Sequence, residues 1–278
     1  MEEKKRLPIL DSKHIVTTNK RQLYNIKLVV CGNYTMVYYY RKKKMRNSND
    51  IEDLNLKSKV VNCYDSGNNK IGNTLHEIEE RSIIRSKLEC QRLAKCNINE
   101  WETFITLTFE DNITDLEYAN KRFRYFIDKV KRVKKDFKYL CITEFQKRGA
   151  THYHLLTNIS INDSQLIYSQ EDNPKFKHIK YWLDGFTSIE LIKGDPKKVI
   201  GYISKYMTKD IDNRLFNRHR YFYSRNLIKP KVSYIDTDKE FDRNYYTKKI
   251  QESSLIYQNE YVNPYDSGKV DYLEFLKD

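Results

Sequence analysis

The chain has 278 residues and a formal net charge of +13 at pH 7, because 51 Lys and Arg outnumber 38 Asp and Glu. Such a charge favours a polyanionic partner, above all nucleic acid, and the length suits one main domain with extensions. The sequence has no apolar run of about 18 residues and no apolar signal core in its N-terminus MEEKKRLPIL, which argues against membrane and secreted proteins. Five cysteines without a C-x-x-C pair argue against a zinc site and indicate reduced thiols, so we expect a cytoplasmic protein.

The first predicted element is a β-hairpin near the N-terminus. Residues 24–44 are mainly β-branched and aromatic on both sides of a Gly32-Asn33 pair, a pattern typical of two strands joined by a tight turn. Residues 45–73 are polar and rich in Asn, Asp and Ser, which predicts a linker. Residues 1–73 are therefore interpreted as a basic N-terminal hairpin followed by a polar linker.

Residues 74–230 contain the elements expected for the main domain. A T-x-x-E capping box beginning at Thr74 predicts the start of a long helix. A strand is predicted over residues 104–109, and a second T-x-x-E box at Thr114 predicts the start of another helix. In this helix six apolar residues at helical spacing form the stripe expected to face the core: Leu116, Ala119, Phe123, Phe126, Ile127 and Val130.

Three further strands and one helix complete this domain. Residues 139–145 and 151–157 are predicted to pair as a hairpin, and residues 186–192 to form another strand. Asp195 and Pro196 have the residue types of an N-cap and a first helical position, so they predict a helix. The resulting order, β-α-β-β followed by β-α, predicts an α+β fold in which a central antiparallel β-sheet is flanked by helices.

Two segments carry weaker signals. Residues 231–278 are interpreted as a C-terminal extension of unknown role, and within them NPYDSGKVDYLEFLKD, residues 263–278, offers only turn signals and a short amphipathic end. The segment GNNKIGNT, residues 67–74, resembles a phosphate-binding loop, but Asn73 replaces the lysine that must reach the phosphates. No strand is predicted before this segment, and no ATP-driven helicase is therefore expected on this chain.

The segment GATHYHLLTN places two histidines two residues apart in a predicted strand. Because side chains at i and i+2 share a face, His152 and His154 project together. The hairpin can bring Glu144 beside them as a third ligand, with Gln146 as the alternative. Two imidazoles and one carboxylate leave open coordination positions and suit Mn²⁺ or Mg²⁺ held against a phosphate oxygen. The alternative is a pair of histidines hydrogen-bonded to neighbours in the sheet.

Two tyrosines lie about one turn apart in the last predicted helix. In KKVIGYISKYMTKD, Tyr202 and Tyr206 emerge one above the other, and Lys205 and Lys209 each follow a tyrosine by three residues. A phenol reacts as a nucleophile at neutral pH only when nearby positive charge stabilises the phenolate. A metal ion and these lysines would supply that charge. The alternative is ordinary amphipathic packing in a sequence that contains 23 tyrosines.

Three blocks in this order resemble the rolling-circle replication initiators of small phages and plasmids, which are called HUH endonucleases. The blocks are FITLTF with the following Glu-Asp-Asn, YLCITEFQKRGATHYHLLTN, and VIGYISKYMTKD. The later segment RHRYFYSRNLIKP resembles the one that follows the third block in phage-type members. The joint match is more specific than any single block.

The resemblance implies a fold, a metal site and a reaction. The fold of this family is an antiparallel sheet flanked by helices, an RRM/ferredoxin-like palm. By resemblance, His152, His154 and Glu144 bind a divalent metal, Mn²⁺ or Mg²⁺. Tyr206 or Tyr202 attacks a DNA phosphate, forms a covalent 5′-phosphotyrosyl link and frees a 3′-hydroxyl that primes replication. Tyr206 is favoured if only one serves, because lysines flank it on both sides.

Single-stranded DNA with an origin hairpin is the expected substrate, and a helicase and a polymerase of the host cell are inferred as partners. Cations interleaved with aromatic residues suit phosphates and stacked bases. The predicted DNA-binding residues, each of which can equally belong to a solvated surface, are Arg41, Lys42, Lys43, Arg122, Arg124, Arg218, Arg220 and Arg225. Lys205 and Lys209 are expected to stabilise phosphate or phenolate charge.

Two other functions fit the same residues. A relaxase or transposase of the same superfamily would share the metal and tyrosine chemistry and differ in its DNA site. A non-catalytic single-stranded nucleic-acid-binding protein would keep the sheet, and its activity would not depend on Tyr202 or Tyr206.

Overall fold

The computed structural model describes residues 22–46, 63–64, 70–71, 75–169, 171, 177–192, 196–207, 213–215, 218–237, 253–263 and 267–277. The chain divides into two compact units. The central unit contains Val61–Lys229, and the terminal unit contains Met1–Val60 together with Pro230–Asp278.

Strands outnumber helices in the described part of the chain. In chain order the elements are β1 (Gln22–Cys31), β2 (Tyr34–Arg46), β3 (Cys63–Tyr64), β4 (Lys70–Ile71), α1 (Leu75–Cys96), β5 (Thr103–Phe109), α2 (Leu116–Val133), β6 (Tyr139–Phe145), β7 (Thr151–Thr157), β8 (Ile167–Ser169), β9 (Lys177–Ile179), β10 (Gly185–Leu191), α3 (Pro196–Met207), β11 (Tyr221–Tyr223), β12 (Lys231–Ile235), β13 (Ser253–Val262) and β14 (Lys269–Lys277). None of the described helices is both long enough and apolar enough to cross a membrane.

The central unit is built on a five-stranded antiparallel sheet in the order β10-β5-β7-β6-β11. The helix α2 packs on one face, where its apolar stripe meets alternate side chains of β5, β6 and β7. The helices α1 and α3 pack on the other face. This arrangement confirms the predicted α+β fold with a central antiparallel sheet between helices.

The apolar stripe predicted for α2 is confirmed, but the predicted capping residue is wrong. All six residues of the stripe are buried. The N-cap is Asp115, whose carboxylate accepts hydrogen bonds from the backbone N–H groups of Glu117 and Tyr118 at 2.8 and 3.3 Å. Asp is an effective N-cap on its own, so the T-x-x-E spacing at Thr114 placed the cap one residue too early.

The terminal unit contains a second five-stranded sheet, in the order β12-β1-β2-β14-β13. Its first two strands are the predicted hairpin, and Gly32 in the turn has φ of 57°, a left-handed conformation that glycine adopts without steric cost. The C-terminal segment forms the two long strands β13 and β14, and β14 pairs with β2. Neither β13 nor β14 was predicted, because residues 263–278 show only turn signals and a short amphipathic end in the sequence.

Other predictions have mixed outcomes. The helices α1 and α3 begin where the sequence patterns place them, whereas Thr74 and Asp195, the residues predicted to cap them, lie outside the described residues. The linker predicted for residues 45–73 is described only in part, and there β2 extends to Arg46 and two short strands, β3 and β4, pair with each other. The strands β8, β9, β11 and β12 were not predicted.

Candidate active site

The two predicted metal-binding histidines lie on the central strand of the five-stranded sheet. His152 and His154 project from β7 to the face that carries α1 and α3, and both are buried. Tyr153 projects to the opposite face, where its hydroxyl donates to Asn120 Oδ1 at 2.8 Å. The strand alternation inferred from the sequence therefore holds, and it separates two polar side chains from the apolar core.

Glu144 meets the histidines from the neighbouring strand. The register of β6 against β7 pairs Glu144 with His152, and the Glu144 carboxylate directly contacts Nε2 of His154. The reserve candidate, Gln146, follows the end of β6, and its side chain accepts a hydrogen bond from Arg148 at 2.8 Å. Of the two candidates, the structure brings only the carboxylate into contact with an imidazole.

The second ring nitrogen of His154 also has a polar neighbour. Thr106 Oγ1 on β5 lies 3.1 Å from His154 Nδ1. Because a carboxylate only accepts hydrogen bonds, Nε2–H donates to Glu144, and Nδ1 accepts from the Thr106 hydroxyl when the ring is neutral. Ligating histidines commonly have such a partner on the other nitrogen, because it fixes the ring orientation and the tautomer. Sequence reasoning missed Thr106, whose role depends on the pairing of β5 with β7.

The helix α3 places Tyr206 against the histidine strand. Val199 and Ile203 anchor α3 in the buried apolar cluster on this face of the sheet. The ring of Tyr206 stacks on the His154 imidazole, with centroids 3.7 Å apart and planes 18° from parallel. The Nζ of Lys205 lies over the Tyr206 ring at 4.9 Å from its centroid, which places a positive charge beside this phenol.

Tyr202 is held in a different way. Its ring stacks on Phe104 of β5 at 4.0 Å, and its hydroxyl donates a hydrogen bond to the carboxylate of Glu190 on the edge strand β10. Glu190 lies directly opposite Phe104 in the register of β10 against β5. Sequence reasoning missed Glu190, because a sequence does not give this register.

A third tyrosine on this face lies in a different environment. Tyr221 of β11 donates to a Glu89 carboxylate oxygen at 3.2 Å. Burial, and to a lesser extent the charge of Glu89, raise the pKa of Tyr221. Both effects disfavour the phenolate, so Tyr221 is a poor candidate for a nucleophile.

The residue types of the site suit a divalent metal. Two imidazoles and one carboxylate converge on one face of adjacent strands, a donor set typical of sites with open coordination positions. Within the described ranges, however, no group of three His, Cys, Asp or Glu side chains is spaced to hold a metal ion. In this arrangement Glu144 is in direct contact with His154 Nε2.

The predicted DNA-binding residues of the central unit lie on several different elements. Arg122 and Arg124 belong to α2, which covers the sheet face opposite the histidines, and Arg122 pairs with Asp184 at 2.7 Å. Arg218 pairs with Glu117 at 3.3 Å, and Arg225 is exposed. Arg220, just before β11, is half-buried.

The remaining predicted cations lie elsewhere in the chain. Arg41, Lys42 and Lys43 belong to β2 of the terminal unit. Arg41 forms ion pairs with Glu260 and Asp271 at 2.7 and 3.2 Å, and Lys43 pairs with Asp236 at 2.8 Å. Lys42 is exposed. Lys209, the second lysine of the tyrosine helix, lies outside the described residues.

Known proteins match the part of the chain that contains this site. Residues 102–211 match a family described as Replication-associated protein ORF2, a stretch that includes every side chain of the site from Phe104 to Tyr206. The Phasyl DNA replicon protein arp of Escherichia coli is 30% identical over 127 residues, which cover 40% of this chain and 44% of that relative. No solved structure shows a significant match.

Both matches concern DNA replication, and both fit a rolling-circle replication initiator. The resemblance to rolling-circle replication initiators that was noted in the sequence is thereby confirmed, whereas these matches do not test the HUH endonuclease chemistry. The chain spans less than half the length of the curated relative that it matches.

Proposed function

We propose that this protein starts rolling-circle replication by nicking and rejoining single-stranded DNA at an origin, as an HUH endonuclease. The observation that carries the proposal is the stacking of Tyr206 on His154, an imidazole that also contacts Glu144. The proposed nucleophile belongs to α3, the two imidazoles to β7 and the carboxylate to β6. Opening and copying of the duplex would be tasks of a host helicase and a host polymerase.

The proposed reaction is a transesterification at phosphorus. The phenolic oxygen of Tyr206 bonds to phosphorus while the bond from phosphorus to the 3′ oxygen breaks. The phenol loses one proton and the leaving 3′ oxygen gains one, so the products are a 5′-phosphotyrosyl enzyme and a free 3′-hydroxyl. Attack by a 3′-hydroxyl on the phosphotyrosine reverses the step and rejoins the strand.

His152, His154 and Glu144 would hold a divalent metal, Mn²⁺ or Mg²⁺, once the carboxylate turns from its contact with His154. Such an ion supplies Lewis-acid polarisation of the scissile phosphate. Thr106 fixes the orientation of the His154 ring. Lys205 places a positive charge beside the Tyr206 ring, where it would attract the phosphate that is attacked.

The two tyrosines would serve different steps. Tyr206 is the stronger candidate for the first cut, because its ring lies against the histidine that belongs to the proposed metal site. Tyr202 lies about one helical turn earlier, and Glu190 is positioned to accept its proton when Tyr202 takes part in a later cut.

The first test looks for a covalent adduct between the protein and single-stranded DNA from its own genetic element in the presence of Mn²⁺. We expect a denaturant-resistant adduct that mass spectrometry maps to Tyr206, that chelation removes and that Tyr206→Phe loses. Tyr221→Phe is the matched control and should keep the adduct. An adduct that survives in Tyr206→Phe with Tyr202→Phe would disprove the assigned nucleophiles.

A second test measures metal binding without DNA. Titration of Mn²⁺, followed by electron paramagnetic resonance, should show one site that His152→Ala abolishes and that Glu144→Gln weakens at least about tenfold. Gln146→Ala should leave the site unchanged, since its side chain points to Arg148. Equal Mn²⁺ affinity in wild type and His152→Ala would remove the metal from the proposal.

A further inference from the structure

The edge strand β10 exposes an aromatic side chain beside the candidate active site. Phe186 has 61% of its surface accessible. Single exposed apolar residues are common on protein surfaces, so exposure alone says little. The position of Phe186 within the sheet is the informative observation.

Phe186 lies in one cross-strand row with the proposed metal ligands. It pairs with Thr108 of β5, Thr108 pairs with His152 of β7, and His152 pairs with Glu144 of β6. Directly opposite residues in antiparallel strands project to the same face. Because neighbouring strands are about 4.8 Å apart, Phe186 stands about two strand spacings, roughly 10 Å, from His152 on that face.

The orientation of β10 is supported by its other side chains. Glu190 reaches Tyr202 on the same face as Phe186, whereas Thr187 bonds His178 at 3.2 Å on the opposite face. Ser188, between Phe186 and Glu190, is also exposed. The strand therefore presents an accessible strip with an aromatic ring at one end and the Tyr202 contact at the other.

Gly185 explains how the strand reaches this position. Its φ is 150°, and an added Cβ would lie 2.3 Å from Glu110 N and 2.4 Å from Thr108 O. No side chain fits at that distance, so glycine allows the start of β10 to approach the end of β5 closely. That approach fixes Phe186 opposite Thr108.

We propose that Phe186 stacks on a base of the single-stranded DNA close to the phosphate that reacts. This proposal rests on the proposed nicking function, because that function supplies single-stranded DNA as the substrate. An aromatic ring accepts any base on its face, and stacking beside a positively charged protein is a common way to hold single strands. Held in this way, the base places its phosphate over the row that contains His152.

The test measures binding of a fluorescently labelled oligothymidylate by anisotropy, with a chelator present so that no strand is cut. Phe186→Ala should weaken binding about 5- to 100-fold, as expected for the loss of one base stack. Phe186→Trp should bind like the wild type. The control is Tyr118→Ala, which removes another exposed aromatic side chain. Tyr118 belongs to α2, which covers the opposite face of the sheet, so this variant should bind like the wild type.

A second readout locates the contact directly. Photocrosslinking of an oligonucleotide that carries 5-iodouracil should give a crosslinked peptide containing Phe186, and Phe186→Ala should remove that peptide. Wild-type affinity in Phe186→Ala, or crosslinks that all map away from β10, would overturn the proposal.

The adduct assay separates this proposal from the nicking function. Even at saturating DNA, Phe186→Ala should form the adduct more slowly than the wild type, because the base no longer places its phosphate, and mass spectrometry should still map that adduct to Tyr206. If Phe186→Ala binds normally while Tyr206→Phe loses the adduct, the stacking role is wrong and the nicking function stands. If the wild type neither binds nor forms an adduct, both are wrong.

Discussion

The two faces of the central sheet are built from the same strands and have different contents. On the α2 face, Leu107, Tyr153 and Leu155 are fully buried among the apolar side chains of the helix. On the α3 face, the same three strands carry buried apolar residues such as Phe104, Leu140 and Leu156. Next to them on this face lie four polar residues: Thr106, Glu144, His152 and His154. One face follows the ordinary rule for a core, and the other buries polar groups that cost free energy unless they are paired.

This contrast separates stability from chemistry at the level of single residues. Because side chains alternate along a strand, a change at one position affects one face and largely spares the other. Substitutions of apolar residues on the α2 face should lower the free energy of unfolding, whereas substitutions of the polar residues on the α3 face should lower reaction with DNA. Substitutions on the two faces are therefore expected to have opposite patterns of effect.

The largest expected effect is on the reaction, from the histidine face. His154→Ala should lower the yield of the covalent DNA adduct at least about 100-fold, because the proposed metal ligand would supply several kcal/mol of stabilisation in the transition state. Thermal unfolding of this variant should stay cooperative. The yield is measured on denaturing gels in the presence of Mn²⁺.

His178→Ala provides the matched control for this prediction. His178 lies on β9, where its Nδ1 is 3.2 Å from the Thr187 hydroxyl, away from the tyrosines. This variant should retain the adduct. Equal adduct yields from His154→Ala and the wild type would show that His154 has only a structural role in the sheet.

The second effect is on stability, from the apolar face. Phe126 of α2 is 1% exposed and packs edge-on against Trp182 at 5.8 Å. Phe126→Ala should lower the free energy of unfolding by about 3–5 kcal/mol, through lost burial and the cavity that remains. Urea unfolding followed by circular dichroism measures this change.

The folded fraction of this variant should still react with DNA, because α2 contributes no side chain to the site. If Phe126→Ala is too unstable to purify, Val130→Ala on the same stripe removes less volume and allows the same comparison. A specific loss of adduct per folded molecule would show that the two faces are coupled.

Much of the apolar face could be predicted from the sequence. The stripe from Leu116 to Val130 follows the helical period, and all six predicted members are buried. The histidine and tyrosine pairs were also visible, because spacings of two in a strand and four in a helix place side chains on one face. These are local patterns, which a sequence displays directly.

The parts that could not be predicted depend on pairing between distant segments. Thr106, Phe186 and Glu190 join the histidine face only through the register of β10, β5 and β7. The strands β14 and β2 pair although more than two hundred residues separate them in the sequence. No local turn pattern predicts a pairing at that distance. A local pattern can also mislead: the T-x-x-E pattern predicted Thr114 as the N-cap of α2, whereas the N-cap is the next residue, Asp115.

A smaller effect tests the division of roles between the two tyrosines. In a Tyr206→Phe background, Glu190→Gln should lower any adduct at Tyr202 at least about tenfold, because Gln cannot take up the phenolic proton. In the presence of Tyr206, the same substitution should leave the first adduct within about threefold of the wild type. Mass spectrometry of the adduct peptides distinguishes the two sites. An equal loss at both tyrosines would mean that Glu190 supports α3 as a whole.

The smallest effect concerns the pH dependence of stability and again belongs to the apolar face. Tyr139 packs among Phe123 and Phe137, and burial raises its pKa from 10.0 to about 12. Below pH 10 the phenol is protonated in both the folded and the unfolded state. Between about pH 10 and 12 the unfolded chain ionises first, so the free energy of unfolding falls as the pH rises.

Tyr139→Phe keeps the ring and removes the titrating group. The drop in the free energy of unfolding between pH 9 and pH 11.5, measured in urea, should therefore be about 1–2 kcal/mol smaller in this variant than in the wild type. Tyr118→Phe, at an exposed position of α2, should show the wild-type drop. If Tyr139→Phe and the wild type lose stability in parallel, the alkaline loss arises elsewhere, and burial on the α2 face does not control the ionisation of this tyrosine.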